Sequence, residues 1–197
     1  MKIGIESQRI FRKAKHGMDV VALEQIRLLQ RIDAKNEYVL FAKDGEDKSW
    51  LTASGNLETV LVKGISYADW EQISLPAAVK KYQPDILHCT ANTAPYACSA
   101  PLVVTVHDVI YLEKTTFGGS AYQDLGNLYR RLVVPRAIKN AKKIITVSQY
   151  EKEVIARVCN TDPEKIEVVY NGVSDRFHNA YAKEDIEQIR KKYNLPG

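Results

Sequence analysis

Short apolar, β-branched runs alternate along the chain with longer stretches in which apolar residues recur every three or four positions. The short runs predict seven strands: Lys2 to Ile5, Glu37 to Ala42, Leu57 to Val62, Asp85 to Cys89, Pro101 to Val106, Lys143 to Val147 and Ile166 to Val169. The longer stretches predict helices over Gly17 to Ile32, Asp69 to Tyr82, about Tyr122 to Asn140, and the Glu-, Val- and Ile-rich segment after Ser148. Pro76 interrupts the second helix and Pro135 is placed to bend the third. On helical spacing the first should turn Val20, Val21, Leu23, Ile26, Leu28, Leu29 and Ile32 inward, and the second Trp70, Ile73, Ala77 and Val79. The third should bury Leu128, Leu132, Val133, Ala137, Ile138 and Ala141. Helices separating most strands imply an α/β, Rossmann-like fold: an open, mainly parallel sheet with helices on both faces.

The strand beginning at Pro101 stops abruptly on His107-Asp108. In open α/β sheets ligands bind beyond the carboxyl ends of strands, so an imidazole and a carboxylate there are candidate site residues. The plainer reading is that both start a loop and cap its backbone. The connection from Glu6 to His16 carries Arg9, Arg12, Lys13, Lys15 and His16, and Gly17 follows at a helix start. A bare N–H and the positive end of a helix dipole there would suit a phosphate, with Arg9 and His16 beside it. A solvated basic loop would read the same way. Ser148, between a strand and a helix, is an N-cap that also suits an anion. Tyr96 is either a ring for stacking a sugar or a half-buried core aromatic. The loops Thr90–Ala100 and Tyr111–Tyr122, the latter with Gly118-Gly119, are where a second substrate would be chosen.

At 197 residues, 45% hydrophobic and 26% charged, the chain has ordinary globular composition. A net charge of +4 is too small for a nucleic-acid partner. No apolar run could span a bilayer and Met1-Lys2-Ile3-Gly4 shows no signal-peptide pattern, so the cytoplasm is the expected address. Cys89, Cys98 and Cys159, odd in number and without CxxC spacing, read as buried thiols rather than metal ligands. The first strand is not followed by Gly-x-Gly-x-x-Gly, which disfavours a dehydrogenase.

Ala141-Lys142-Lys143-Ile144-Ile145-Thr146-Val147-Ser148 and Lys165-Ile166-Glu167-Val168-Val169-Tyr170-Asn171-Gly172-Val173-Ser174 together resemble the amino-terminal half of group 1, family 4 GT-B glycosyltransferases. His16-Gly17, Trp70-Glu71-Gln72 with Leu75-Pro76, Pro84-Asp85-Ile86-Leu87-His88 and Thr105-Val106-His107-Asp108 extend the resemblance over essentially the whole chain. It implies a retaining transferase that moves a sugar from a nucleotide-sugar donor to a glycan or lipid-linked acceptor, with no cofactor and no bound metal. Residues 1–178 would form the acceptor-side domain, and residues 179–197 a linker towards a donor-binding domain that this chain lacks. The glutamate pair that marks that second domain is absent, so the fragment is expected to be inactive alone. The resemblance further implies that Gly17 approaches the donor diphosphate and that His107 contacts the donor sugar. Its departure is at the first of these sites, where relatives carry two adjacent glycines and this chain has His16 and Met18 around one. Asp108 would orient His107 or the acceptor. The basic segment from Arg130 to Lys143 suggests weak peripheral contact with the inner face of a membrane. Two alternatives stay open, half of a sugar-nucleotide epimerase or hydrolase of the same architecture, and a non-catalytic sugar-binding module.

Overall fold

The computed structural model describes residues 1–49, 51, 55–113, 121–173 and 180–196, with the side chains of 121–123 left aside. Seven strands form one sheet: β1 (Lys2–Glu6), β2 (Glu37–Ala42), β3 (Leu57–Leu61), β4 (Ile86–Cys89), β5 (Leu102–Thr105), β6 (Lys143–Thr146) and β7 (Ile166–Val168). All neighbours pair in parallel, in the order β3-β2-β1-β4-β5-β6-β7. The expected Rossmann-like α/β architecture is therefore what the chain adopts. Strand order reverses between β1 and β4, so the crevice for a ligand opens at the carboxyl ends of these two strands.

Alternation along β2 shows how the core divides. Tyr38, Leu40 and Ala42 face one side and pack with Ile5 of β1 and with Leu23 and Ile26 of α1 (Gly17–Ile32). Val39 and Phe41 face the other side, the larger core, with Leu87, Cys89, Val104 and Ile144 of the following strands. That side is covered by α3 (Leu75–Tyr82), α5 (Ala121–Asn140) and α6 (Gln149–Val158), through Leu75 and Val79, Val134 and Ile138, and Val154 and Ile155.

The second predicted helix departs from its expected phase. A short α2 (Tyr67–Asp69) runs into a π-helical turn, Trp70–Ser74, before α3, and the Leu75 N–H donates to the Trp70 carbonyl five residues back. The wider turn rotates the inward face by one position. Trp70, Glu71, Leu75 and Val79 are buried, whereas Ile73 is 66% exposed and Ala77 is also outside. Pro76 lies in the first turn of α3, directly after the π-helical turn. In α5 the buried face is Val133, Val134, Ala137 and Ile138, with Ala141 just beyond the helix end, and Leu128 and Leu132 project outward beside Leu125. In α1 likewise, Leu28 and Ile32 are exposed, and Asp19 takes an inward place that spacing alone gave to apolar residues. Cys89 is buried, while Cys98 and Cys159 are only half-buried.

A short α4 (Ile110–Glu113) follows β5. The segment read as a linker contains α7 (Lys183–Tyr193), every residue of which is exposed. The expected domain boundary at 178/179, and the glycines Gly118 and Gly119, lie outside the described residues.

Candidate active site

The apolar strand β1 closes on Glu6, a residue in register with Cys89 at the end of β4 and therefore at the switch point. Glu6 is 3% exposed. Its Oε1 accepts the Gln8 N–H at 2.9 Å, and the Thr90 hydroxyl donates to its carbonyl at 2.9 Å. Burial, and then the charge of Glu71, push its carboxyl up to about 7, against the pull of the Gln8 and Thr90 N–H groups and of Arg9. Glu6 lines a small polar cavity with Arg9, Asp19, Tyr67 and Thr90.

Beneath it lies a second buried carboxyl. Glu71, turned inward by the π-helical turn, accepts from Tyr129 Oη at 2.5 Å, Gln72 Nε2 at 3.0 Å and Tyr67 Oη at 3.2 Å, and from the Thr93 hydroxyl in a very short bond. Burial drives its pKa upward, while these four donors oppose the rise. A group surrounded only by donors is suited to be a carboxylate. The Tyr67 and Tyr129 rings meet edge to face at 5.7 Å. Glu71 thus binds α2, the loop after β4 and α5 into one unit.

That loop, residues 90–101, joins β4 to β5 without a helix. Thr90, Asn92, Thr93 and Ala94 are all buried. Gln72 Nε2 donates to the Ala94 carbonyl at 3.3 Å and Gln72 Oε1 accepts the Tyr96 N–H at 2.8 Å. The Tyr96 ring is 40% exposed and faces the Arg136 guanidinium at 5.1 Å, a cation–π contact rather than a place in the core.

His107 stands half-buried just past β5. Its N–H donates to Asn92 Oδ1 at 2.7 Å and its Nε2 lies 3.0 Å from the Thr90 carbonyl. Asp108 is not the partner of that ring. The Asp108 charge is instead felt by Tyr111 and Glu151, both of which it helps to raise. His88 on β4 hydrogen-bonds Thr105 Oγ1 at 2.7 Å, and burial followed by the proximity of His107 lowers it to about 4.

Gly17 opens α1 in free space, with nothing within 4 Å of where a Cβ would stand. His16 precedes it, exposed, with its N–H on Asp19 Oδ2 at 2.9 Å. Arg9 is paired with Asp19 at 3.4 Å and lies 5.8 Å from the Tyr67 ring centre, so its charge is largely spent inside the protein. Lys15 is bound to Asp47 at 2.9 Å. Ser148 caps α6, its hydroxyl accepting the Glu151 N–H at 3.1 Å. Glu151 is raised by burial and then by Asp108 and Glu113, so three acids crowd this helix start and oppose an anion there. Among the described residues, no three His, Cys, Asp or Glu side chains are grouped to hold a metal.

Glu6, Thr90 and His107 therefore adjoin one another around the switch point, and Gly17 starts the helix above β1. Glu6 and Glu71 were not among the candidates read from the sequence. The signal that marked His107, a polar residue closing an apolar strand, applies equally to Glu6. Nothing local marks Glu71, whose inward position depends on the π-helical turn.

The sequence model of Glycosyltransferase Family 4 matches residues 15–177. The chain belongs to glycosyltransferase family 4. It is 29% identical over 128 residues to the O-antigen chain mannosyltransferase RfbU of Salmonella typhimurium, a match covering 65% of this chain and 31% of that protein. Among solved structures it superposes on Alr3699/HepE of Anabaena in complex with UDP and glucose (TM-score 0.58, 19% identity), over 98% of this chain and 50% of that one. A glycosyltransferase of Rickettsia africae matches with a TM-score of 0.51 at 16% identity, over 100% of this chain and 50% of the other. At these identities the likeness is one of fold, and the chain spans about half the length of the structures it matches.

Proposed function

We propose that this chain is the acceptor-side domain of a retaining glycosyltransferase, acting with a second Rossmann-like domain that grips a nucleotide-sugar donor. The sugar passes to a glycan or lipid-linked acceptor at the cytoplasmic face of a membrane. The observation that carries the reading is the half-buried His107 at the carboxyl end of β5, beside the switch point of a family 4 fold. A similar protein is named a mannosyltransferase and a similar fold is described with UDP-glucose, which supports a hexose carried on a nucleotide.

In this reading His107 hydrogen-bonds the donor sugar as positive charge grows at its reacting carbon. Negative charge grows meanwhile on the departing diphosphate, which the open start of α1 at Gly17 faces. His16 flanks that approach. Arg9 and Ser148 act indirectly, Arg9 by neutralising Asp19 and Ser148 by capping α6. No metal takes part, and the acceptor hydroxyl attacks on the face the phosphate leaves. Residues 1–178 are the domain and 179–197 the link to its partner.

Membrane contact has its own support. Leu125, Leu128 and Leu132 lie exposed on α5 near the exposed Arg136 and Lys139, a leucine and cation surface suited to an anionic bilayer. Among the described residues no helix is long and apolar enough to cross a membrane.

The test is a transfer assay with radiolabelled nucleotide sugars and membrane extracts. The 197-residue chain alone should transfer nothing, and the chain joined to a donor-binding domain should transfer sugar. Turnover by the isolated chain would sink the two-domain reading.

A further inference from the structure

Asn92 makes a set of contacts that no general role in the loop requires. It is 2% exposed and adopts φ 66°, the left-handed region that asparagine tolerates better than most residues. Its N–H donates to the Thr105 carbonyl at 2.9 Å, its Oδ1 accepts the His107 N–H at 2.7 Å, and its Nδ2 donates to the Asp108 carbonyl at 3.3 Å. Its backbone N–H, its Oδ1 and its Nδ2 thus each bond within residues 105–108. Asn92 therefore grips the chain on both sides of His107 without itself presenting a group to the cleft.

The ring is fixed from the same loop. Nε2 of His107 lies 3.0 Å from the carbonyl of Thr90, two residues before Asn92. A carbonyl oxygen can only accept, so Nε2 carries the hydrogen. In a neutral imidazole the lone pair is then on Nδ1, for which no described residue supplies a hydrogen bond. His88, the neighbouring imidazole on β4, is occupied with Thr105 and held neutral by burial.

We infer that Asn92 is a positioning residue for sugar transfer: with the Thr90 carbonyl it holds His107 as the Nε2–H tautomer and presents Nδ1 as an acceptor for a sugar hydroxyl. The inference rests on the proposed transferase function and sharpens it. A lone pair at Nδ1 accepts a hydroxyl hydrogen and repels a phosphate oxygen, so this face of the ring reads the sugar and leaves the diphosphate to the start of α1. The same logic makes residue 92 a control on His107 that never touches substrate.

The tautomer is read directly from two-bond proton–nitrogen correlations of the histidine rings in the 197-residue chain, at about pH 8, where an ordinary histidine is neutral. His107 should appear as Nε2–H. An Asn92→Ala chain should show mixed tautomers at His107, and Asn92→Asp, which keeps an oxygen for the His107 N–H, should restore the single form. A wild-type spectrum showing Nδ1–H overturns the inference with no variant needed, as does an Asn92→Ala spectrum identical to wild type. In an enzyme preparation that transfers sugar, Asn92→Ala should lower kcat about tenfold to a hundredfold, the cost of misplacing a catalytic group, with little change in KM, and Asn92→Asp should recover most of it. Unchanged kcat in Asn92→Ala overturns the positioning role while leaving the transferase reading intact. Absence of transfer by the wild-type enzyme counts against the transferase reading and not against the tautomer.

Discussion

Two neighbouring regions at the carboxyl edge of the sheet are built on opposite principles. Around Glu71 a carboxyl is sealed at 1% exposure and surrounded by four donors from three parts of the chain. Around His107 and Gly17 the groups are half-buried or fully open, and polar atoms are left over. The first region has the satisfied polar network of a rigid scaffold, and the second has the unused valences of a site. The lesson is one of support: Thr90 and Asn92, which fix His107, belong to the same loop that Glu71 anchors through Thr93.

The largest way to break this division is to remove the anchor. Glu71→Ala removes the shared acceptor of the Thr93, Tyr67 and Tyr129 hydroxyls and should cost about 3 kcal/mol, read as a lowered denaturant midpoint. If the variant melts like wild type, the network is not the scaffold described. His107→Ala tests the opposite region. It should lower kcat of the sugar-transferring enzyme on the order of 10²-fold, equivalent to about 2.7 kcal/mol, with little change in melting temperature. A variant that melts several degrees lower yet keeps near-normal kcat would return His107 to a purely structural role.

Glu6, between the two regions, has a pH signature. Burial holds its folded pKa at about 7, above the ordinary carboxyl value of 4.5, so between these values the folded state binds more protons than the unfolded state. Stability from this group therefore falls as pH rises from about 4.5 to about 7. Glu6→Gln should flatten that fall and raise stability at pH 8, by on the order of 1–3 kcal/mol. His88 has the opposite sign: its depressed value of about 4 means stability is lost as pH falls from about 6.5 towards 4. Parallel melts of Glu6→Gln and wild type across pH 5 to 8 would expose the difference, and parallel curves throughout would refute it. The smallest effect sharpens the account of the π-helical turn. Ile73→Ser should change stability by less than about 0.5 kcal/mol, whereas Leu75→Ala should cost about 2–5 kcal/mol. Equal losses would place Ile73 back in the core.

The sequence by itself determined the seven strands, their parallel order of appearance and His107 at a strand end, because apolar period and abrupt polar termination are local properties of the chain. It also determined that Gly17 and Ser148 stand at helix starts, for the same reason. Which helical residues face inward was decided only in three dimensions. Ile73 gave way to Leu75 because one wide turn shifts the phase by a residue, and Leu128 and Leu132 gave way to Val134, beside the expected Val133, Ala137 and Ile138, because only one stripe of α5 meets the sheet. The partners of the titratable groups were likewise settled by folding. Arg9 looked available in the sequence and is paired with Asp19, Asp108 stood as a group to orient His107 or the acceptor, and Thr90 and Asn92 are the residues that hold His107. Such pairings join residues that are distant along the chain but close at the edge of the sheet, and a hydrogen bond depends on that distance in space, which no periodicity records.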